Sequence, residues 1–419
     1  MVNIISKKIR GFRDILPDES EKFSFIEKQI NNICPLFNTN QVRIPTLESI
    51  NLFKRSIGET SDIVTKEMYS FSDKNNDIVC MIPEGTASCM RLAFENNLIY
   101  DRGIKKNRLY YYSSMFRHER PQKGRYRQFT QFGVEFFGDK SVTDDIDLIL
   151  MSDMFFRKIN INDLKLNINS LGSSDDRNKY SNHLREYFNK YLDSLSDQQR
   201  QTLNKNPLRL LDSKDKKLLD IIDSAPTITQ YINKDSIENF DRIMSSLSDL
   251  KINFNVDTKL VRGLDYYNDL VFEWKTDKLG TQDALCAGGR YDNLSLTVAN
   301  QHVPAVGFAM GIDRIVNLLN FNTNKFTVGL SVITSNYNNL AQISSAIRDI
   351  DHNFRLIQMD TEKSLSKQIK MAVKYDCDIL IIVGNDEMSN NTLTIKHLKK
   401  TKEDESISFN DLSNIIREN

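Results

Sequence analysis

The 419-residue chain has no excess of either charge: 56 Lys and Arg stand against 56 Asp and Glu. It therefore lacks the bulk positive field with which histone-like proteins take up polyanions, although a local patch is compatible with a neutral total. It also lacks a long apolar run. The longest, 379–383, falls far short of the ~20 residues of a membrane span. Glycine and proline are scarce, at 16 and 8, so no flexible linker marks a boundary and domains must be read from changes of pattern. Cys34, Cys80, Cys89, Cys286 and Cys377 are odd in number and contain no CxxC pair. That argues against a disulfide framework or a zinc knuckle and fits reduced thiols in a cytosol. Lys7, Lys8 and Arg10 are followed by no apolar stretch, so no secretory signal is expected. The five histidines form no HExxH, and neither GxSxG nor GxGxxG occurs. Residues 133–141 approach a P-loop, but Asp139 intrudes before Lys140 and a strand takes the space the loop would need.

What is present is the composition of a globular protein, 40% hydrophobic and 27% charged. Helical spacing over 18–37 is followed by a short strand at 41–45. Segments 68–71 and 78–82 flank turn residues and predict a hairpin. Pro83 is expected to open a helix over 84–97. Residues 108–138 predict two long antiparallel strands joined by a polar loop at 121–127. A helix over 143–159 is expected to be capped by Thr143. From 173 to 250 the chain is helical and polar, which suggests an insertion. Strands resume at Phe254, and 307–319 reads as strand then helix. The last ninety-odd residues alternate short strands (328–333, 355–359, 379–383) with helices (340–350, 364–375), which predicts a separate α/β domain with a parallel sheet. The expected parts are 1–172, 173–252, 253–324 and 325–419.

Four clusters carry chemistry. Between 102 and 127 lie nine basic residues (Arg102, Lys105, Lys106, Arg108, Arg117, Arg120, Lys123, Arg125, Arg127) and one acid, Glu119. Such runs are usually solvated faces, but Arg117 sits among Tyr, Ser, Met and Phe in a strand, where a lone charge needs a partner. In the next strand, alternation places Phe132, Val134 and Phe136 on one face and Gln131, Gly133 and Glu135 on the other, with Phe129 and Phe137 at the ends. An amide, a gap and a carboxylate framed by rings can be the floor of a polar cavity accepting an N–H. Alternatively, Glu135 forms a salt bridge with an arginine inside the sheet. In Pro83-Glu84-Gly85-Thr86, a carboxylate in a first helical turn either binds an ammonium or simply caps the helix. Arg262-Gly263-Leu264-Asp265-Tyr266-Tyr267 combines a cation, a glycine that admits close approach and two phenols. Residues 287–292 repeat that style, or form a bulge or tight turn.

Together these clusters resemble class II histidyl-tRNA synthetases, over nearly the whole chain. Gly11-Phe12-Arg13-Asp14 with Leu16-Pro17 resembles the family's N-terminal signature, and Arg43-Ile44-Pro45 with Glu48 its dimer-forming motif 1. Met115 to Arg120, the following loop and Phe129 resemble motif 2, and 307–314 motif 3. Residues 260–267 and 287–292 resemble the two signatures of the histidine enzyme. The implied fold is α+β: an antiparallel-sheet catalytic core with a helical insertion, plus a C-terminal α/β anticodon-binding domain.

The resemblance implies a histidine–tRNA ligase, a cytoplasmic homodimer that makes histidyl-adenylate from L-histidine and ATP and passes histidine to the 3′ end of its tRNA. It implies that Arg117 binds the α-phosphate, with Glu119 nearby. Arg314 stacks on adenine opposite Phe129. Glu84, Gly85 and Thr86 hold the substrate ammonium near Gln131. Glu135, Tyr266 and Tyr267 form the imidazole pocket, with Glu135 and Tyr267 on its nitrogens. Arg262 stabilises the α-phosphate as the carboxylate attacks, without a protein nucleophile. Arg120 and Gln122 lie near the acceptor end, and Mg²⁺ is carried mainly by ATP, with no dedicated protein site. Ile82 departs from the arginine usual before Pro-Glu-Gly-Thr and removes a cation near the substrate. From 326 to 419, 11 Lys/Arg meet 13 Asp/Glu, so RNA contact there would need local patches or readout of unstacked bases. A non-catalytic regulatory paralogue of histidine biosynthesis is a second possibility, disfavoured by Arg262 and the C-terminal domain. A general RNA-binding structural protein leaves the floor of Gln131 and Glu135 without a purpose.

Overall fold

The computed structural model describes residues 7–417 apart from 59–60, 100–106, 123, 212, 214, 216, 281–282, 321–325, 334–336, 351–353 and 401. Arg102, Lys105, Lys106 and Lys123 of the basic run therefore lie outside the described residues. The chain divides into two compact units, 1–320 and 321–419.

In the first unit, helix α1 (Pro17–Ile33) precedes strands β1 (Asn40–Gln41) and β2 (Leu47–Ser49), helix α2 (Ile50–Ile57), strands β3 (Ser70–Ser72) and β4 (Ile78–Met81) and helix α3 (Thr86–Glu95). Strands β5 (Asn107–Phe116) and β6 (Gln128–Phe137) are the expected long pair, followed by α4 (Val142–Lys158) and β7 (Lys165–Ser170). Helices α5 (Ser174–Asn189), α6 (Asp197–Lys205), α7 (Leu219–Asp223) and α8 (Lys234–Asp249) fill the polar stretch. Then come β8 (Phe254–Val256), β9 (Asn268–Lys275), β10 (Ala284–Arg290), α9 (Leu294–Ala299), β11 (Ala305–Gly311) and α10 (Ile312–Val316).

Eight of these strands form one sheet in the order β1-β5-β6-β11-β10-β9-β7-β8. Its six central strands are antiparallel, and the outer pairs β1/β5 and β7/β8 are parallel. The alternation along β6 separates two faces. Phe132 packs on Phe155 of α4 and Phe308 of β11, with ring centroids 6.0 and 5.7 Å away, and all three are buried. The opposite face carries Gln131, Gly133 and Glu135 and belongs to the site. A smaller sheet, β2-β4-β3, leaves Leu47, Phe71 and Ile78 exposed.

Two local expectations are corrected. Helix α3 starts at Thr86, so Glu84 precedes it; its carboxylate accepts from the amides of Thr86 and Ala87, at 2.8 and 3.0 Å. The cap of α4 is Ser141, which accepts from the Thr143 amide, with Asp144 and Asp145 favouring the positive end of the helix. Arg13 joins distant segments. Its guanidinium donates to Asp313 of α10 at 2.7 Å, and the other Asp313 oxygen accepts from the Thr130 amide of β6 at 2.6 Å.

The second unit contains β12 (Thr327–Val332), α11 (Tyr337–Arg348), β13 (Arg355–Gln358), α12 (Leu365–Lys374), β14 (Ile379–Val383), α13 (Asn385–Asn390), β15 (Thr392–His397), β16 (Glu405–Ser408) and α14 (Leu412–Arg417). Its sheet, β13-β12-β14-β15-β16, is mixed rather than parallel. The first three strands are parallel, and β15 and β16 add an antiparallel extension.

Candidate active site

A cavity of about 530 Å³ opens on the sheet face opposite α4. It brings together Glu84, Thr86, Arg117, Glu119, Phe129, Gln131, Arg262, Tyr266, Tyr267 and Arg314. Gly85, Glu135, Arg120 and Gln122 do not line it. Arg120 and Gln122 are exposed on the loop after β5.

Glu135 lies beneath the floor and is fully buried. Three hydroxyls converge on it: Thr86 donates to Oε1 at 2.7 Å, Tyr111 to the same oxygen at 3.3 Å, and Tyr291 to Oε2. The salt bridge to an arginine does not form. Burial pushes the Glu135 carboxyl up to about 8, opposed by these hydroxyl bonds and reinforced by the neighbouring Glu84. The gap at Gly133 is occupied by the Tyr111 ring. A Cβ at 133 would come within 2.1 Å of it, and one at Gly85 within 2.3 Å. A Cβ at Gly307 would strike Glu135 itself. Glycine at these positions is thus the space in which a tyrosine and a carboxylate are housed.

One end of the cavity is cationic. Arg117 donates from Nε to the Pro83 carbonyl at 2.8 Å, and its guanidinium carbon lies 5.4 Å from the centre of the Phe129 ring. Arg125 pairs with Glu119. Arg314 donates to the Ala284 carbonyl at 2.7 Å. Burial lowers the pKa of Arg314, and the charges of Arg125 and Arg117 add to the shift. Burial also depresses Arg117, opposed by Glu67 and Glu84. Three guanidinium groups sharing one pocket favour an anion between them. The basic run is otherwise dispersed: Arg108 pairs with Asp144 and Asp147 of α4 at 2.6 and 2.7 Å.

Arg262, also in the lining, is held by Glu273 at 2.9 Å, and Glu273 also pairs with Lys275. The Tyr266 and Tyr267 rings lie 4.7 Å apart. Among the described residues, three buried polar atoms of the lining have no hydrogen-bond partner, Oε1 of Gln131, Nε of Arg262 and Nε of Arg125; the last is the atom that Arg125 turns to Glu119. Buried groups of that kind are costly unless something pairs with them.

Reading the sequence alone misses Tyr111, Arg209 and Glu273, and it singles out 287–292 without giving Tyr291 its role on Glu135. Tyr111 stands in a run of three tyrosines, and only the register Tyr111↔Gly133 distinguishes it. Residues 287–292 contain the bulge that was one of the options, with a register shift between Gly289 and Arg290.

An antiparallel-rich sheet with this arginine-lined cavity, followed by a unit matching anticodon-binding domains over 333–419, defines an aminoacyl-tRNA synthetase. A family model for histidyl-tRNA synthetase matches residues 11–315. The chain belongs to the histidyl-tRNA synthetase family. It is 42% identical to the histidine–tRNA ligase of Francisella philomiragia, over 97% of each chain. Its identity to that of Francisella tularensis subsp. holarctica is 39%, over 97% of this chain and 98% of the relative. Among solved structures it resembles apo histidyl-tRNA synthetase of S. aureus, with a TM-score of 0.80 and 27% identity over 99% of this chain and 100% of the other. Similarity to the Nostoc sp. histidyl-tRNA synthetase, TM-score 0.72 at 18% identity over 98% and 99%, shows the shared fold.

Proposed function

We propose that the chain is a histidine–tRNA ligase acting in two steps. L-histidine and ATP form histidyl-adenylate and pyrophosphate, and histidine then passes to the 3′ end of its tRNA. The observation that carries this reading is the single cavity that gathers Glu84, Arg117, Gln131 and Arg262, where Gln131 Oε1 and Arg262 Nε are buried without a hydrogen-bond partner among the described residues. The regulatory-paralogue alternative is not favoured, because full-length relatives at 42% and 39% identity are named ligases.

The proposed roles follow from charge and place. Arg117 and Arg314 hold the phosphates and adenine of ATP, with Phe129 offering a ring face. Mg²⁺ is carried mainly by ATP, and Glu67 and Glu119, hard oxygen donors in the lining, suit its remaining ligands. Glu84, buried and oriented by two amides, faces the substrate ammonium with Thr86 and Gln131. Arg262 stabilises charge building on the α-phosphate as the histidine carboxylate attacks. Tyr267 and the deeper Glu135 bind the two imidazole nitrogens, one of which donates its N–H and the other of which accepts.

Arg120 and Gln122, exposed on the motif 2 loop, are suited to the acceptor end, and 325–419 to the anticodon. The stretch 173–252 is taken as the family's insertion between core segments 1–172 and 253–324. Exposed Leu47, Phe71 and Ile78 beside motif 1 support a homodimer, and free buried cysteines suit the cytoplasm. Histidine-dependent ATP–pyrophosphate exchange, followed by charging of histidine tRNA, tests the proposal. Absence of exchange with purified protein, Mg²⁺ and histidine overturns it.

A further inference from the structure

The helical stretch between β7 and β8 lies against the Arg262–Tyr267 segment through side chains that the chemistry above does not use. Asn206, just after α6, donates to Asp265 Oδ1 at 2.7 Å, and Arg209 donates to the same oxygen at 3.0 Å. Arg177 of α5 donates to the main-chain carbonyl of Tyr267. Ser236 of α8 donates to Asp269 Oδ1 at 2.5 Å. Alternate residues 265, 267 and 269 are thus each held from the helical side, while Arg262, Tyr266 and Tyr267 line the cavity.

The backbone explains why such anchors are needed. The ladder between β7 and β9 ends with the Asp269 amide on the Gly172 carbonyl, at 2.8 Å, and the Leu171 amide on the Asp269 carbonyl, at 2.7 Å. Asp269 itself has φ 45°, an unfavourable conformation for a residue with a side chain. Just before β9, the Tyr267 carbonyl accepts from Arg177, with no main-chain donor on it among the described residues.

Arg177 is an expensive choice if it serves only to fill space. Among the described residues it has no ion pair, and burial lowers its pKa. Arg177 also lines a second cavity of about 400 Å³ that includes Asn178, Ser181, Arg185 and Lys205. A methionine would fill the same volume without desolvating a charge. What methionine lacks is a donor for the Tyr267 carbonyl.

We propose that Arg177, supported by Asn206 and Ser236, is a positioning residue for histidine recognition, fixing Tyr267 and its neighbours from the helical side. The inference rests on the ligase reading. The test uses full-length R177M, R177K and, as a control in the same cavity, R185M. R177M should raise the histidine KM in pyrophosphate exchange about tenfold or more, leave the ATP KM within about twofold, and weaken histidine binding by calorimetry in parallel. R177K, which retains a donor, should recover most of the loss, and R185M should match wild type. The proposal is overturned if R177M keeps wild-type histidine affinity, if histidine and ATP KM rise together, or if R177K is as impaired as R177M. Exchange missing from the wild type would instead overturn the ligase reading, while calorimetry with histidine would still decide the role of Arg177.

Discussion

Tyr111 and Gly133 face each other across β5 and β6, and the tyrosine ring occupies the volume that a side chain at 133 would require. From there its hydroxyl reaches Glu135. Gly133→Ala should therefore destabilise the fold by about 1–3 kcal/mol through overpacking and weaken histidine binding as the ring is pushed aside. Urea unfolding of G133A and of G133A/Y111A checks this: the second change should return part of the stability but not the binding.

Glu135 gives a pH prediction with a defined sign. In the unfolded chain the carboxyl releases its proton near 4.5, and in the fold only at about 8. The folded state retains a proton that the unfolded state gives up, so this group makes stability fall as pH rises from about 4.5 to about 8. Glu135→Gln should flatten that part of the wild-type profile, measured by urea midpoints across the range. The same variant should remain folded and lose histidine activation. Near-normal histidine affinity would assign Glu135 to the fold alone.

Arg262 and Glu273 should fail in a graded way. Arg262→Ala is expected to lower kcat for adenylate formation by about 10²–10³, with a smaller change in histidine KM. Glu273→Gln, which loosens the 2.9 Å tether, should lose less in the same direction. Equal losses in kcat and KM would make Arg262 a substrate-positioning group only.

Arg290 lies outside the cavity and serves stability. It is buried between Asp145 at 2.5 Å and Asp292 at 3.3 Å, and it also donates to the carbonyls of Asp139 and Ser141. Arg290→Met strands two buried carboxylates and should cost about 3–5 kcal/mol. R290M/D145N should recover part of that in denaturant titrations.

Much of this architecture was legible because it follows short-range rules. The long β5–β6 pair showed in its alternation, and that alternation alone put Gln131, Gly133 and Glu135 on one face. The features that escaped depend on pairing across distance. Nothing local separates Tyr111 from Tyr110 or Tyr112 until the strand register is known. Arg177 and Arg209 are ordinary surface-pattern cations until α5 and the turn after α6 meet residues 263–267. Strands β15 and β16 are short and polar enough that their alternation passes for loop. The helix expected from Glu84 begins two residues later, at Thr86, since a carboxylate before a helix and one in its first turn leave the same pattern in the sequence.

The Arg13–Asp313 contact has a consequence in time as well as space. Its partners are 300 residues apart, and at about 5–20 residues per second a ribosome needs roughly 15–60 s to make the second after the first. Until then Arg13 has no Asp313 to meet, and Phe132, once made, awaits the strand that supplies Phe308. The sheet is completed late in synthesis: 176 residues separate Phe132 from Phe308, and the apolar face at Phe132 stays open until β11 arrives.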